Sequence, residues 1–166
     1  MDQPWTEEPH EYGGVHARLP AGATGFGVRS NDPDGGLRSF RTVCHDAARR
    51  TGGAVTSCAA ADVTPSFHTV VVVRGDRAVA LLRHTLLPLV ALARPRCAGD
   101  AGVAFVDDAT LAAALAEVSG LRVLSVAQLR TPLSRVDLTA LTADEHTQLA
   151  YWKPDTVGDL LFNFWD

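Results

Sequence analysis

Four ionisable side chains stand where they could carry out acid–base chemistry. Asp107 and Asp108 lie between a predicted strand and a predicted helix, a junction that often borders a cleft. His68 and His84 lie near strand ends, and the ordinary pKa of histidine suits a general base near neutral pH. The alternative is structural: one aspartate would cap the helix, and each histidine would bond to backbone or water. We therefore hypothesise an acid–base site at His84, His68, Asp107 and Asp108, and keep the structural alternative open.

The cysteines and histidines lack the spacing of a metal site. Cys44 and His45 are adjacent, so on a helix they point about 100° apart. Cys58 and Cys97 have no C-x-x-C partner. We therefore predict no bound metal and no cofactor, and we expect the thiols to pack as small apolar groups.

Charge is distributed unevenly along the chain. Residues 74–96 carry five arginines against one aspartate, and residues 144–166 carry five acidic residues against one lysine. Arg74 and Arg77, at a predicted hairpin tip, are candidates to bind a small acidic ligand or phosphate. The alternative is a solvated tip whose charge protects the sheet. Aromatic residues do not interleave with these arginines and the net charge is −4, so the sequence disfavours nucleic-acid binding.

Aromatic residues are concentrated near the end of the chain. One interpretation is that a pair of C-terminal helices uses them to seal one face of a sheet. The other is a partly exposed surface of the kind that anchors protein partners, with Trp152, Trp165 and Phe162 as its binding residues. The five aromatic residues of this segment are Tyr151, Trp152, Phe162, Phe164 and Trp165.

The clearest strand signal is a hairpin. Residues 67–74 and 77–84 are apolar and rich in β-branched side chains, and Gly75-Asp76 between them fits a two-residue turn. Pairing Arg74 with Arg77 sets Val72 opposite Val79. Both faces are apolar through the middle, so we predict a central hairpin that is covered on both sides.

The remaining segments predict helices and short strands around this hairpin. Apolar residues at spacings of three and four indicate helices over 37–50 and 109–119. Capping boxes at Thr142–Glu145 and Thr156–Asp159 begin two C-terminal helices. We also predict strands at 85–93, with Pro88 at an edge or a bulge, at 103–107 and at 121–127, and a strand or turn at 22–28.

Together these elements predict an α+β fold in a single domain. A mixed, mainly antiparallel sheet surrounds the central hairpin, helices pack on it, and two short helices follow at the C-terminus. Residues 1–20 contain three prolines and two glycines, so we expect a flexible N-terminal arm before a domain over 21–166.

Composition bounds the function. The chain has 166 residues and 17.6 kDa, and its longest apolar stretch is interrupted by charges, so we expect no membrane span and a cytoplasmic location. Lys153 is the one lysine among 15 basic residues, which indicates a GC-rich bacterial genome.

Two functions remain open from the sequence. The first is a non-catalytic binding or accessory protein, such as an inhibitor, an immunity-type protein or a complex subunit, that binds a protein partner or associates with itself. The second is a small-molecule enzyme that uses the histidines and aspartates in an apolar pocket of roughly 300 Å³ or more.

Overall fold

A computed structural model describes residues 6–9, 15–27, 32, 34, 36–61 and 65–165. The strands are β1 (Thr6–Pro9), β2 (Val15–Arg18), β3 (Ala54–Ala59), β4 (Phe67–Arg74), β5 (Arg77–His84), β6 (Leu89–Ala93), β7 (Arg122–Val123) and β8 (Val136–Asp137). The helices are α1 (Leu37–Arg50), α2 (Ala109–Val118), α3 (Val126–Leu129), α4 (Ala143–Trp152) and α5 (Val157–Leu161), with a short 3-10 helix at Leu133–Arg135.

The described strands form two sheets. The larger has the order β3-β4-β5-β6-β7; its first three pairings are antiparallel, and β6 runs parallel to β7. The smaller has the order β1-β2-β8, in which β2 and β8 are parallel. This mixed, mostly antiparallel arrangement with helices packed on it confirms the predicted α+β fold in a single domain.

The hairpin has the predicted register. Arg74 lies opposite Arg77, and Val72 lies opposite Val79. β5 is the middle strand of the five, which confirms the central position expected from its two apolar faces.

The two faces of the larger sheet pack against different layers. α1 and α2 cover one face, where Phe40, Cys44 and Leu115 contact large strand side chains such as Val72 and Leu81. The other face packs against a second cluster that includes Leu124, Leu129, Leu160 and Leu161. Several strand residues on that second face are alanines, so less side-chain volume covers it.

Among the described helices, α1, α2, α4 and α5 begin where the sequence places them, whereas α3 was not predicted. Asp108 caps α2 by accepting a hydrogen bond from the backbone N–H of Leu111 at 3.0 Å. Both predicted capping boxes are present at the starts of α4 and α5. α1 has the predicted bounds, and Gly36 at its N-cap has the left-handed φ of 78° that glycine adopts without strain.

Three strand predictions were wrong in detail. Residues 103–107 form only an isolated bridge between Phe105 and Ala93. In 121–127 just two residues pair, because Ser125 and Gln128 form a capping box that begins α3. The strand predicted over 85–93 begins only at Leu89, and β6 lies between β5 and β7 in regular register, so Pro88 precedes the strand and marks neither an edge nor a bulge.

The described part of 22–28, residues 22–27, contains turns and no strand, which agrees with the turn alternative of the prediction. β3 was not predicted, because its sequence, AVTSCA, has a weak strand signal. It forms a strand because it pairs with β4. The structure describes the predicted N-terminal arm, residues 1–20, only in part. β1 and β2 lie in the described part, and the flexibility of the arm stays a prediction.

No helix in the described part of the chain is long and apolar enough to cross a membrane.

Candidate functional site

His84 is fully buried and both of its ring nitrogens are engaged by backbone groups. Nε2 donates to the carbonyl oxygen of Ala23 at 2.8 Å, and Nδ1 accepts from the N–H groups of Leu86 and Leu87, each at 3.1 Å. Burial disfavours the charged ring and lowers the pKa of His84 to about 4. At neutral pH the ring is therefore uncharged and holds neighbouring backbone in place.

Glu145 is a buried carboxylate that reaches the same turn from the opposite side. Its oxygens accept from the backbone N–H groups of Gly22, Thr24 and Thr142 and from the Thr24 hydroxyl, at 2.8–3.1 Å. Burial works against the charged form, but hydrogen bonds from Thr142, Thr24 and Gly22 outweigh it and hold the pKa of Glu145 below its ordinary value. The sequence predicts the capping bond to Thr142, and it contains no signal for the bonds across 121 or more residues.

Asn163 completes this polar cluster. Its side-chain amide donates to the carbonyl oxygens of Thr24 at 2.9 Å and Leu160 at 2.7 Å. Its backbone N–H donates to Ser66 Oγ at 3.0 Å. His84, Glu145 and Asn163 thus hold the turn Gly22–Gly25 against the ends of β5, α4 and α5.

The other predicted acid–base residues lie apart from His84. His68 is buried on the opposite face of the hairpin, where its Nδ1 accepts from the backbone N–H of Ala61 at 2.8 Å. Asp107 is exposed and accepts from the backbone N–H of Val126 at 2.9 Å. The structure does not bring His84, His68 and Asp107 together, and a catalytic role for them stays a prediction.

Asp108 forms an ion pair with Arg74 in addition to capping α2. Side-chain exposure is 3% for Asp108 and 19% for Arg74, so this pair is largely removed from water. It fixes the tip of the central hairpin to the first turn of α2. Of the two hairpin-tip arginines predicted as binding residues, Arg74 is thus engaged within the chain, whereas Arg77 is exposed.

The predicted aromatic residues divide into a buried and an exposed group. Phe162 is 2% exposed, and its ring lies about 6 Å from the rings of Phe67 and Phe105. Tyr151 is 76% exposed and Trp152 is 39% exposed. Phe162 therefore belongs to the core, as the sealing interpretation expects, whereas Tyr151 and Trp152 face outward.

Tyr151, Trp152 and Trp165 form one ordered cluster, which we call the aromatic surface. The rings of Trp152 and Trp165 are parallel within 2°, with centroids 6.2 Å apart. Tyr151 meets Trp152 edge to face at 5.1 Å. Trp152 Nε1 donates to Gln148 Oε1 at 3.1 Å, which fixes the indole. Tyr151 and Trp152 are thus the exposed members of this cluster, whereas Trp165 is half-buried and packs against the core cluster that contains Phe162.

A cavity of about 370 Å³ adjoins the aromatic surface, and we call it the aromatic cavity. Trp152, Trp165 and Phe164 form apolar walls, and its charged side chains are Lys153, Asp155 and Asp159. A second cavity, of about 340 Å³, lies on the alanine-containing face of the larger sheet, and we call it the sheet-face cavity. Phe164 and Val103 line both cavities, whereas His84, His68, Asp107 and Asp108 line neither.

Within the described residues, no group of three or more histidine, cysteine or acidic side chains is arranged to hold a metal ion. Cys44 is buried in the core, and burial raises the pKa of its thiol. Cys58 and Cys97 are exposed, so the expectation that they pack as small apolar groups was wrong. Cys58 lies on the edge strand β3, and sequence alone does not distinguish an edge strand from an interior one.

Comparison of the chain with protein-family models, with curated proteins and with solved structures finds no match.

Proposed function

We propose that this chain is a non-catalytic accessory protein that binds a protein partner through the aromatic surface. The observation that carries the proposal is the exposed Trp152, which stacks parallel to the half-buried Trp165 and meets the exposed Tyr151 edge to face, beside an open cavity. Tryptophan and tyrosine contribute more binding energy at protein interfaces than most other residues. Because Gln148 already fixes the Trp152 indole, little side-chain entropy is lost on binding.

The charges around the aromatic surface favour a basic partner segment. Asp155 and Asp159 line the aromatic cavity, against Lys153 alone among cationic side chains. An arginine stacks on tryptophan faces and pairs with carboxylates, so both features fit one side chain. The partner we propose therefore presents an arginine or lysine next to an apolar residue that enters the aromatic cavity.

The biological setting belongs to the same proposal. The near absence of lysine is the basis for placing the chain in a GC-rich bacterium, and the lack of long uncharged apolar stretches is the basis for placing it in the cytoplasm. There it would act as an inhibitor, an immunity-type protein or a subunit of a complex.

The test is capture of the partner with matched variants. Tagged parent chain, Trp152→Ala and Arg77→Gln are expressed in the organism of origin, and the captured proteins are quantified by mass spectrometry. The expected result is a protein captured in fixed proportion by the parent and by Arg77→Gln. Binding of that protein, repeated with purified components, falls at least about tenfold in Trp152→Ala.

Three results would contradict the proposal. One is a captured protein that binds Trp152→Ala as tightly as the parent. Another is that the binding of every captured protein is independent of Trp152. The third is a dimer of the chain itself that Trp152→Ala dissociates, which would assign the surface to a second copy.

A further inference from the structure

We propose that the sheet-face cavity binds a small amphiphilic carboxylate, with its apolar body on the sheet and its carboxylate against Arg94 and Arg96. This site goes beyond the proposed partner binding, because it uses different residues and a different class of ligand. The sequence predicts a small acidic ligand in the same arginine-rich segment, residues 74–96, but at Arg74 and Arg77, which do not line this cavity.

The floor of the cavity is one face of four adjacent strands. Ser57 of β3 pairs with Val71 of β4, Val71 pairs with Ala80 of β5, and Ala80 pairs with Ala93 of β6. All four residues line the cavity. Because side chains at paired positions point to the same face, the register itself places them side by side.

Small side chains create the space. The opposite face of the same strands carries Val72, Val79, Leu81 and Leu92, which fill the gap to α1 and α2. On the cavity face the corresponding positions include Ala80 and Ala93, and none of the described residues that line the cavity belongs to a helix. The result is about 340 Å³ of largely apolar space, within the range of ligand pockets.

Two arginines form the charged side of the cavity. The guanidinium of Arg96 lies 4.0 Å from the centre of the Phe164 ring and donates to the carbonyl oxygen of Asp100 at 2.7 Å. The Asp100 carboxylate itself accepts from the backbone N–H of Cys97. Arg94 is exposed, and no acidic side chain of the described residues lines the cavity. Both cations are therefore placed to meet an anion supplied from solution.

The ligand class follows from this combination of surfaces. An uncharged apolar ligand would leave both guanidinium groups without an anion, and a small polar anion would leave the apolar floor uncovered. We specify a monoanion rather than a dianionic phosphate ester because one N–H of Arg96 already donates to the backbone carbonyl oxygen of Asp100, which leaves fewer donors for a second negative charge. A ligand with an apolar body and one terminal carboxylate would cover the apolar floor and give both arginines an anion.

The test is isothermal titration of the full chain with octanoate, 1-octanol and octyl phosphate. The variants are Arg94→Gln/Arg96→Gln and Ser57→Trp, and the control is Arg77→Gln, an exposed arginine outside the cavity. Far-ultraviolet circular dichroism and thermal unfolding verify that each variant is folded. Ser57 is exposed, so a tryptophan there fills the cavity without disturbing the core.

The expected result is saturable binding of one octanoate per chain, tighter than that of octyl phosphate. The double arginine variant weakens octanoate binding at least about tenfold and leaves 1-octanol binding unchanged, whereas Ser57→Trp removes binding of both. Arg77→Gln and Trp152→Ala bind octanoate like the parent, so this result is independent of partner binding. Absence of octanoate binding, equal affinity for octanoate and 1-octanol, or full octanoate affinity in the double variant would overturn the proposal.

Discussion

His84 and Glu145 hold the turn Gly22–Gly25 from two sides, one as a neutral ring and the other as a carboxylate. Each is buried with its polar atoms engaged, so each stabilises the fold only while it keeps its present protonation state. Their titration therefore gives the stability of the protein a defined dependence on pH.

The His84 ring makes the protein less stable in acid. Its pKa is about 4 in the folded chain against 6.5 ordinarily, so between these values the unfolded chain binds more protons. The stabilisation is complete above pH 6.5 and is lost as the pH falls towards 4, by about 3 kcal/mol in total. Denaturant unfolding at several pH values measures the loss. We expect the loss of stability in acid to shrink in His84→Gln and to persist in His146→Gln, which changes an exposed histidine. Equal pH dependence in the parent and both variants would refute this assignment.

Glu145 provides a stronger test of the polar cluster. In Glu145→Gln an amide N–H₂ replaces one of the carboxylate oxygens, so surrounding N–H and O–H donors lose their acceptor. We therefore expect a loss of about 2–4 kcal/mol in the free energy of unfolding. Asp144→Asn is the matched control, because Asp144 is the exposed neighbour in the same helical turn, and its effect is expected to stay within about 1 kcal/mol. Similar losses in both variants would mean that the contacts of Glu145 to the distant turn contribute little.

Exposed and buried aromatic residues respond differently to truncation. Phe162→Ala removes a ring that is 2% exposed and is expected to cost about 3–5 kcal/mol of stability. Tyr151→Ala removes one that is 76% exposed and is expected to change stability by no more than about 0.5 kcal/mol. Chemical denaturation measures both. If Tyr151→Ala instead destabilised the chain as much as Phe162→Ala, the aromatic surface would be part of the core.

At the scale of secondary structure, α5 depends on close approach at Gly158. A Cβ built on Gly158 would lie 2.5 Å from Phe105 Cε2 and 3.1 Å from the carbonyl oxygen of Leu129. Gly158→Ala is therefore expected to lower the free energy of unfolding by about 1–3 kcal/mol, and the melting temperature with it, although alanine favours helices. Gly120→Ala is the control, because no atom lies within 4 Å of its Cβ position. An unchanged melting temperature in Gly158→Ala would show that α5 can shift away from Phe105.

The elements that the sequence predicted are those with local causes. Capping residues, a two-residue turn and helical spacing act over a few positions, so α1, α4, α5 and the hairpin register were all recoverable. β3 was not, because pairing with β4 decides its structure rather than its own AVTSCA sequence. Likewise, the capping box at Ser125 overrode the apolar signal of 121–127.

The candidate sites were less predictable for the same reason. Sequence identified Trp152 and Trp165 as candidate anchors, but their parallel stacking and exposure depend on how α4 meets the end of the chain. The sheet-face cavity brings together four strands and the segment 94–96, and only the sheet register places Ala80 beside Ala93. His84 and Asp108 have polar partners in distant segments, which no local pattern reveals.

At the scale of the whole molecule, the two faces of the larger sheet differ in purpose. α1 and α2 fill one face with large side chains, whereas the other face carries the sheet-face cavity, which shares Phe164 and Val103 with the aromatic cavity. Arginines border the first cavity and aspartates the second. Under the two proposals, an anionic small molecule and a basic protein segment would therefore bind at neighbouring cavities.

The most direct test of partner binding is site-specific photo-crosslinking in cells of the organism of origin. A photoreactive phenylalanine analogue replaces Tyr151, whose side chain is 76% exposed, or, as a control, Arg77 at the hairpin tip. We predict that the analogue at position 151 crosslinks to one protein of different sequence, at a segment containing arginine or lysine, and that the analogue at position 77 does not. No crosslink at position 151, or crosslinks only to a second copy of the chain, would contradict the account.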